Sequence, residues 1–542
     1  MNAGMLWQLG RADFLERVRG YRFVVLLGVI AAATFLFVPP DDAGYIILDL
    51  DGARGIQNSA WIGGTVGLMA ASYLGLVAFY MVKGSVGRDY ETGVGQILAA
   101  TAVTKRQYVS AKWLSNFALL LALMAGMLLA SAVMQLVRGE DRSIDVWALT
   151  APMLIIVVPT MAVVAALAVL FETVAALRGG LGNVVFFFIY MVVLFPAALG
   201  LSFIIEEMAD GAQAALPGND GGTSCCLILE SNAPTVLGRE LVPQDTFVWE
   251  GMDWSADKFL LRIPYVIAAL GSLLLAARAF NRFDSAGRPS SWISSKLRRV
   301  RVGLPWRKRR DEAANDDPAG DATPAAGPAV HLSRLSDDRG GLTFVTMLLA
   351  EARLMAKGLR WWWYAVAGGL IVAALLMPLD SVHRWLLPVA WVWPVLAWSP
   401  MGVRESQHHV DQLLFSAGHP LRRQLPATWL VGFALAIVTA SGAWIRFLID
   451  GDSDAVFAAL AGALFIPSLA LALGTWTISS KVFQIVFLSL WYIGPMQRVV
   501  SFDFIGTDPA LAMASSVPAT FAGVSVALIA ASVLGRARRI RT

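Results

Sequence analysis

The 542-residue chain is 57% hydrophobic and only 15% charged, with a mean hydropathy of +0.62. A soluble domain is about 45–50% apolar and about 25% charged, so the balance points to a multi-span membrane protein and away from a water-soluble enzyme, a fibre or a disordered chain. The net charge is +4, and the two cysteines, Cys225 and Cys226, are adjacent, which supports neither a disulfide framework nor a four-ligand zinc site.

A helix needs roughly 17–25 apolar residues to cross the hydrocarbon core. That rule predicts twelve spans, six before residue 281 and six after residue 340. The first six are 22–38, 61–83, 113–137, 148–171, 181–203 and 260–280. The second six are 361–379, 384–401, 426–448, 455–474, 482–500 and 516–535. A charged, amphipathic stretch precedes the first span, with no small-residue cleavage site before Pro39, so a cleaved leader is not expected. The run Trp361-Trp362-Trp363-Tyr364 reads as an interfacial aromatic belt. Pro196 and Pro495 fall late in spans 5 and 11 and predict kinks.

Basic residues set the orientation. Arg11, Arg17, Arg19 and Arg22 precede span 1, and the loop after span 2 carries Arg88, Lys105, Arg106 and Lys112. The chain ends Arg536, Arg538, Arg539, Arg541, whereas the loop after span 1 holds Asp41, Asp42, Asp49 and Asp51 against one Arg54. Both termini are therefore expected in the cytoplasm. Residues 281–340 read as a linker: 282–310 are strongly basic, and 311–330 are Ala, Pro, Asp and Gly, too polar to fold. The basic run fits either attraction to anionic lipid or a topology signal.

The linker separates two copies of one design. Residues 88–117 laid on 404–433 give nine identities in thirty ungapped pairs, including Arg88/Arg404, Gln96/Gln412, Arg106/Arg422, Trp113/Trp429 and Phe117/Phe433. Upstream, Ala12-Asp13 aligns with Ala350-Glu351, and Arg19-Gly20 with Lys357-Gly358. Each copy is then an amphipathic helix followed by six spans, domains 1–280 and 341–542. Both start on the same side, so the repeat is expected to be parallel. The loop 204–259 has no long counterpart in the second half and is expected to form an external cap.

Residues 84–112 make a loop far longer than a helix hairpin needs. Its charges cluster at the two ends. The stretch Gly93–Val103 is small and apolar, which suits a short surface helix pressed on another protein or lying on lipid. Arg88 and Glu91 are spaced to share a helical face.

The pattern Arg88-Asp89-Tyr90-Glu91-Thr92-Gly93, then Ala100-Thr101-Ala102-Val103-Thr104-Lys105-Arg106-Gln107-Tyr108-Val109 and Lys112-Trp113, resembles the permeases of type-2 ATP-binding-cassette exporters. The resemblance implies an all-α fold of twelve spans in two parallel six-helix repeats, each opened by an elbow helix. It implies coupling to an ATPase through Arg88, Asp89, Glu91, Thr92, Gly93, Lys105 and Arg106 in the first half. In the second half the matching positions are Arg404, Glu405, Arg422 and Arg423. That half departs from the pattern: Ser406-Gln407-His408-His409 stands against Tyr90-Glu91-Thr92-Gly93. The expected partners are two copies of a nucleotide-binding ATPase subunit and the lipid bilayer, with no nucleic acid. The expected location is a bacterial inner membrane.

The chain has no Gly-Lys dipeptide and hence no Walker A loop, so it is not expected to be an enzyme. No cofactor is expected in it, since ATP and Mg would sit in the partner. His408, His409 and Asp411 do not make a convincing metal set, because adjacent histidines face apart on a helix. Cys225-Cys226 fits two free thiols or a vicinal disulfide. Charges such as Arg262, Arg446 and Lys481 lie near span ends, which counts against an ion-coupled carrier. A major-facilitator carrier remains an alternative, but Gly84 and Asp89 are mis-spaced for its loop signature. A membrane enzyme or scaffold would need a polar constellation in the membrane that the sequence does not show.

Overall fold

A computed structural model describes residues 3–40, 47–50, 53–194, 203–216, 223–224, 245–280, 342–357, 359–408, 410 and 420–541. The predicted linker 281–340, the cysteine pair, Pro196, His409 and Asp411 lie outside these residues.

The described chain is helical apart from four short strands. Helix α1 (Ala3–Val18) turns at Gly20 into α2 (Tyr21–Phe37), and the two axes are bent by 72°. The next helices are α3 (Ser59–Met69) and α4 (Gly75–Val82), joined by a π-turn at Ala70–Leu74. Short helices α5 (Ser85–Glu91) and α6 (Val94–Ala99) follow, before the 34-residue α7 (Lys105–Arg138). A reciprocal cap between Thr104 and Gln107 starts α7 and satisfies amides that have no partner inside the helix. Then come α8 (Val146–Pro152), α9 (Val158–Thr173) and α10 (Gly180–Ile189). After α11 (Phe203–Ala215), α12 (Ile263–Ala279) closes the first half against α9.

In the second half, α13 (Leu342–Ala356) and α14 (Trp361–Leu376) meet at 101°. A broken helical segment covers 379–398. Helices α15 (Pro420–Thr439) and α16 (Ser441–Asp450) are bent by 64° where one span was expected. Long α17 (Ser453–Thr477) packs on α19 (Val517–Arg541), and α18 (Ser480–Trp491) lies between them in sequence.

Six described helices are long and apolar enough to span a membrane, and nine if each bent pair is one span. The other three predicted segments are helical too, but shorter or interrupted: α10 with its π-turn to Leu194, 379–398, and α18 with its π-turn to Met496. Large apolar side chains face outward along these helices, among them Val24, Leu129, Ile267 and Val526. Such a belt is stable only against lipid. The chain is a helical, polytopic membrane protein.

The strands correct the purely helical expectation in one place. Asp49–Leu50 pairs antiparallel with Thr223–Ser224, and Ala53–Gly55 pairs parallel with Asp245–Phe247. They tie the loop after α2 to the loop before α12. Trp61 packs edge-on against Phe247 and Trp249, so this layer covers the amino-terminal end of α3. It therefore lies at the end of the bundle away from α5 and α6.

Candidate functional site

At the end of the bundle that carries α1, four elements converge on buried charge. Asp13 on α1 is the hub. Its Oδ1 accepts from Arg88 (2.8 Å) and Lys112 Nζ (2.9 Å), and its Oδ2 from Arg17 (2.8 Å) and Ser115 Oγ (2.5 Å). Burial would raise the Asp13 carboxyl, but the Arg17 and Lys112 charges, with bonds from Ser115 and Lys112, hold it below the usual carboxylate range. Asp89 is buried beside it and accepts from Tyr108 (2.7 Å) and Lys112 (3.0 Å).

Glu172, at the carboxyl end of α9, completes the support. Its carboxylate accepts from the backbone amides of Gly84, Ser85 (3.1 Å), Val86 (2.5 Å) and Gly87 (2.9 Å). These are the amides that open α5, where a helix offers unpartnered donors and partial positive charge. Gly84 (φ 120°) and Gly93 (φ 75°) make the turns on either side of α5 in backbone conformations that a side chain would strain.

On this base α6 stands outward. Val94 is 43% exposed and Ile97 69% exposed, while Leu98, Ala99 and Val103 pack inward with Tyr108 and Phe280. Glu91, Thr92, Lys105 and Arg106 are exposed too, and Thr92 Oγ1 donates to the Arg88 carbonyl.

The residues expected to act together therefore divide. Glu91, Thr92, Lys105 and Arg106 reach the surface, and Gly93 supplies the turn. Asp89 does not reach it, being fully engaged inside. Arg88 does not turn to Glu91 as the helical spacing suggested; it reaches Asp13 and Glu16 (3.3 Å). The gain is a buried acceptor on α1 in place of a solvated one.

In the second half, Arg404 pairs with Glu351 (3.2 Å). Glu405 is buried, accepting from Gln424 (2.9 Å) and Arg536 (2.9 Å). Arg423 is exposed, and the side chain of Arg422 lies outside the described residues.

The two halves meet along α10, α18 and α4. Asn183 Nδ2 donates to Gln484 Oε1 (2.5 Å), whose amide donates to Ser399 (3.0 Å), and Lys481 Nζ donates to the Lys83 carbonyl (2.5 Å). Phe188 meets Trp491 further along the same seam. Lys481 had read as a span-end charge; it crosses between the halves. Glu172 was passed over as well, although a lone carboxylate just after an apolar run is a usable signal. Among the described residues, no group of three or more His, Cys, Asp or Glu could hold a metal. Comparison with protein-family models, with curated proteins and with solved structures gives no match.

Proposed function

We propose that the chain is the membrane subunit of an ATP-driven exporter that moves a hydrophobic or amphipathic substrate, with separate ATPase subunits docked on the face made by α6. The observation that carries this reading is Ile97: a large apolar side chain held outward on a short helix whose base is fixed by Asp13, Asp89 and Glu172. A large apolar side chain held outward on a fixed base is what a protein partner buries at an interface centre. In this reading the α1 end faces the cytoplasm, and the seam between α10 and α18 is the route.

Recurring contacts support two repeated halves. Asp13–Arg88 matches Glu351–Arg404, and Tyr108 donating to Asp89 matches Gln424 donating to Glu405. Trp113 stacks on Phe117 as Trp429 stacks on Phe433. Tyr190 donates to the Ser72 carbonyl as Trp491 donates to that of Pro388.

The test is Ile97→Asp in the full chain, co-expressed with a nucleotide-binding ATPase subunit that co-purifies with the wild type. Co-purification and substrate-stimulated ATP turnover should be lost, with insertion and thermal stability unchanged. Normal association combined with weaker membrane insertion would assign α6 to lipid instead.

A further inference from the structure

Beside the charged hub lies a cleft of about 780 Å³, walled by α1, α2, α4 and α5 and by Lys481 from the second half. Its charges are unequal: five cations, Arg17, Lys83, Arg88, Arg178 and Lys481, line it with three carboxylates, Glu16, Glu91 and Glu172. Arg17 and Arg88 are already matched by Asp13, and Arg88 also by Glu16. Glu172 directs both oxygens at the α5 amides, and Glu91 stands exposed at the rim.

Lys83, Lys481 and Arg178 make no ion pair among the described residues. Lys83 is buried on two carbonyls and Asn183. Lys481 spends one bond on the Lys83 carbonyl. Arg178 donates to the Glu172 carbonyl and lies over the Tyr90 ring at the mouth. Glu172 acts on Lys83 and Lys481, and Glu91 on Lys481, without pairing with either, and cations gathered in a partly dry cleft are costly without a paired counter-charge. Gly84 leaves the space open: a Cβ there would stand 3.0 Å from Lys481 Nζ.

The other wall is apolar. Phe23 and Leu26 come from the first turns of α2, and Leu119 from α7. The 17 residues of α2 cover about 26 Å at helical rise, close to the hydrocarbon thickness. In a bilayer crossed by α2, Gly20, which also lines the cleft, would stand at headgroup depth.

We propose that this cleft binds the anionic headgroup of a membrane amphiphile, a phosphate held by Lys481 and Arg178, with its chain along Phe23 and Leu26. Lys83 adds field and fixes the floor. The binding goes beyond the export reading and does not depend on an ATPase docking at α6.

The experiment uses the purified full chain after delipidation. Thermal unfolding is followed with added phosphatidylglycerol, with phosphatidylcholine of the same chains, and with inorganic phosphate. Phosphatidylglycerol should raise the midpoint and be retained in native mass spectra, and phosphatidylcholine should do neither. Lys481→Gln or Arg178→Gln should weaken the lipid effect by about tenfold, the worth of one charge-assisted hydrogen bond. Lys481→Arg should restore it and shows that the site still folds. If inorganic phosphate acts as strongly as the lipid and with the same dependence on both residues, the anion site stands and its source is free phosphate. If no anion stabilises the wild type, or the glutamine variants respond like it, the proposal fails.

Discussion

Asp13 and Glu351 stand at aligned positions and face aligned arginines, yet their surroundings differ. Asp13 receives four donors. At the positions matching Arg17, Lys112, Ser115 and Asn116, the second half has Met355, Thr428, Val431 and Gly432. Met355 and Val431 are buried there. The second half has exchanged a charged network for apolar packing, an exchange that often leaves stability unchanged. The exchange also explains the opposite titrations. Burial pushes the Glu351 carboxyl up, the Arg404 charge opposes it, and nearby Glu405 adds to the rise. Glu405 Oε2 is itself buried without a hydrogen-bond partner. Equal backbone roles have been met by unequal chemistry.

The sharpest test of this contrast is neutralisation of each acid. Asp13→Asn leaves Arg17 buried without its paired anion and Lys112 with Asp89 alone, and should cost about 3–5 kcal/mol. Glu351→Gln should cost about 1 kcal/mol or less, because burial already disfavours its charge. Denaturant unfolding of the detergent-solubilised chain reads both, and equal losses would erase the distinction.

A smaller difference is expected at the arginines. Arg88→Ala removes a partner from a hub that keeps other cations and should cost about 1 kcal/mol. Arg404→Ala strips Glu351 of its paired cation. Its carboxyl should then rise further above the ordinary carboxylate range, which carbonyl infrared bands of the labelled residue can follow.

The smallest effect is in pH, and its sign differs between the halves. The folded value of Asp13 is depressed, so its stabilisation is complete above the unfolded value of 3.8 and is lost as pH falls through the depressed one. The folded value of Glu351 is raised above 4.5, so its contribution is most favourable below 4.5 and is lost as pH rises through the raised value. On acidification toward the ordinary carboxylate range, hydrogen exchange should show α13 gaining protection while α1 gains none. Parallel changes in the two helices would contradict the assignment.

Most of the helices were legible in the sequence because long apolar runs admit few alternatives in lipid. The Asp13/Glu351 and Arg88/Arg404 matches were legible too, though not that each aligned pair would be an ion pair. What stayed hidden was contact over long separation. Arg536 reaches Glu405 across 131 residues, and Glu172 reaches Val86 across 86. No local periodicity encodes such meetings. The break between α15 and α16 was also hidden, since no proline marks it. Gly442 explains the close approach there: a Cβ would lie 2.3 Å from the Ile371 carbonyl. At the candidate site, Glu91, Lys105 and Arg106 are exposed, while spacing spoke only to Arg88 and Glu91. It misjudged Arg88 because an isolated helix offers only Glu91, whereas the folded chain offers Asp13.

Glu172 has a mechanical consequence. One carboxylate grips four successive amides of a neighbouring segment, so the start of α5 and the end of α9 cannot part without breaking several bonds together. The glutamate sits like a clevis pin between the end of α9 and the start of α5, with a glycine turn on either side of α5.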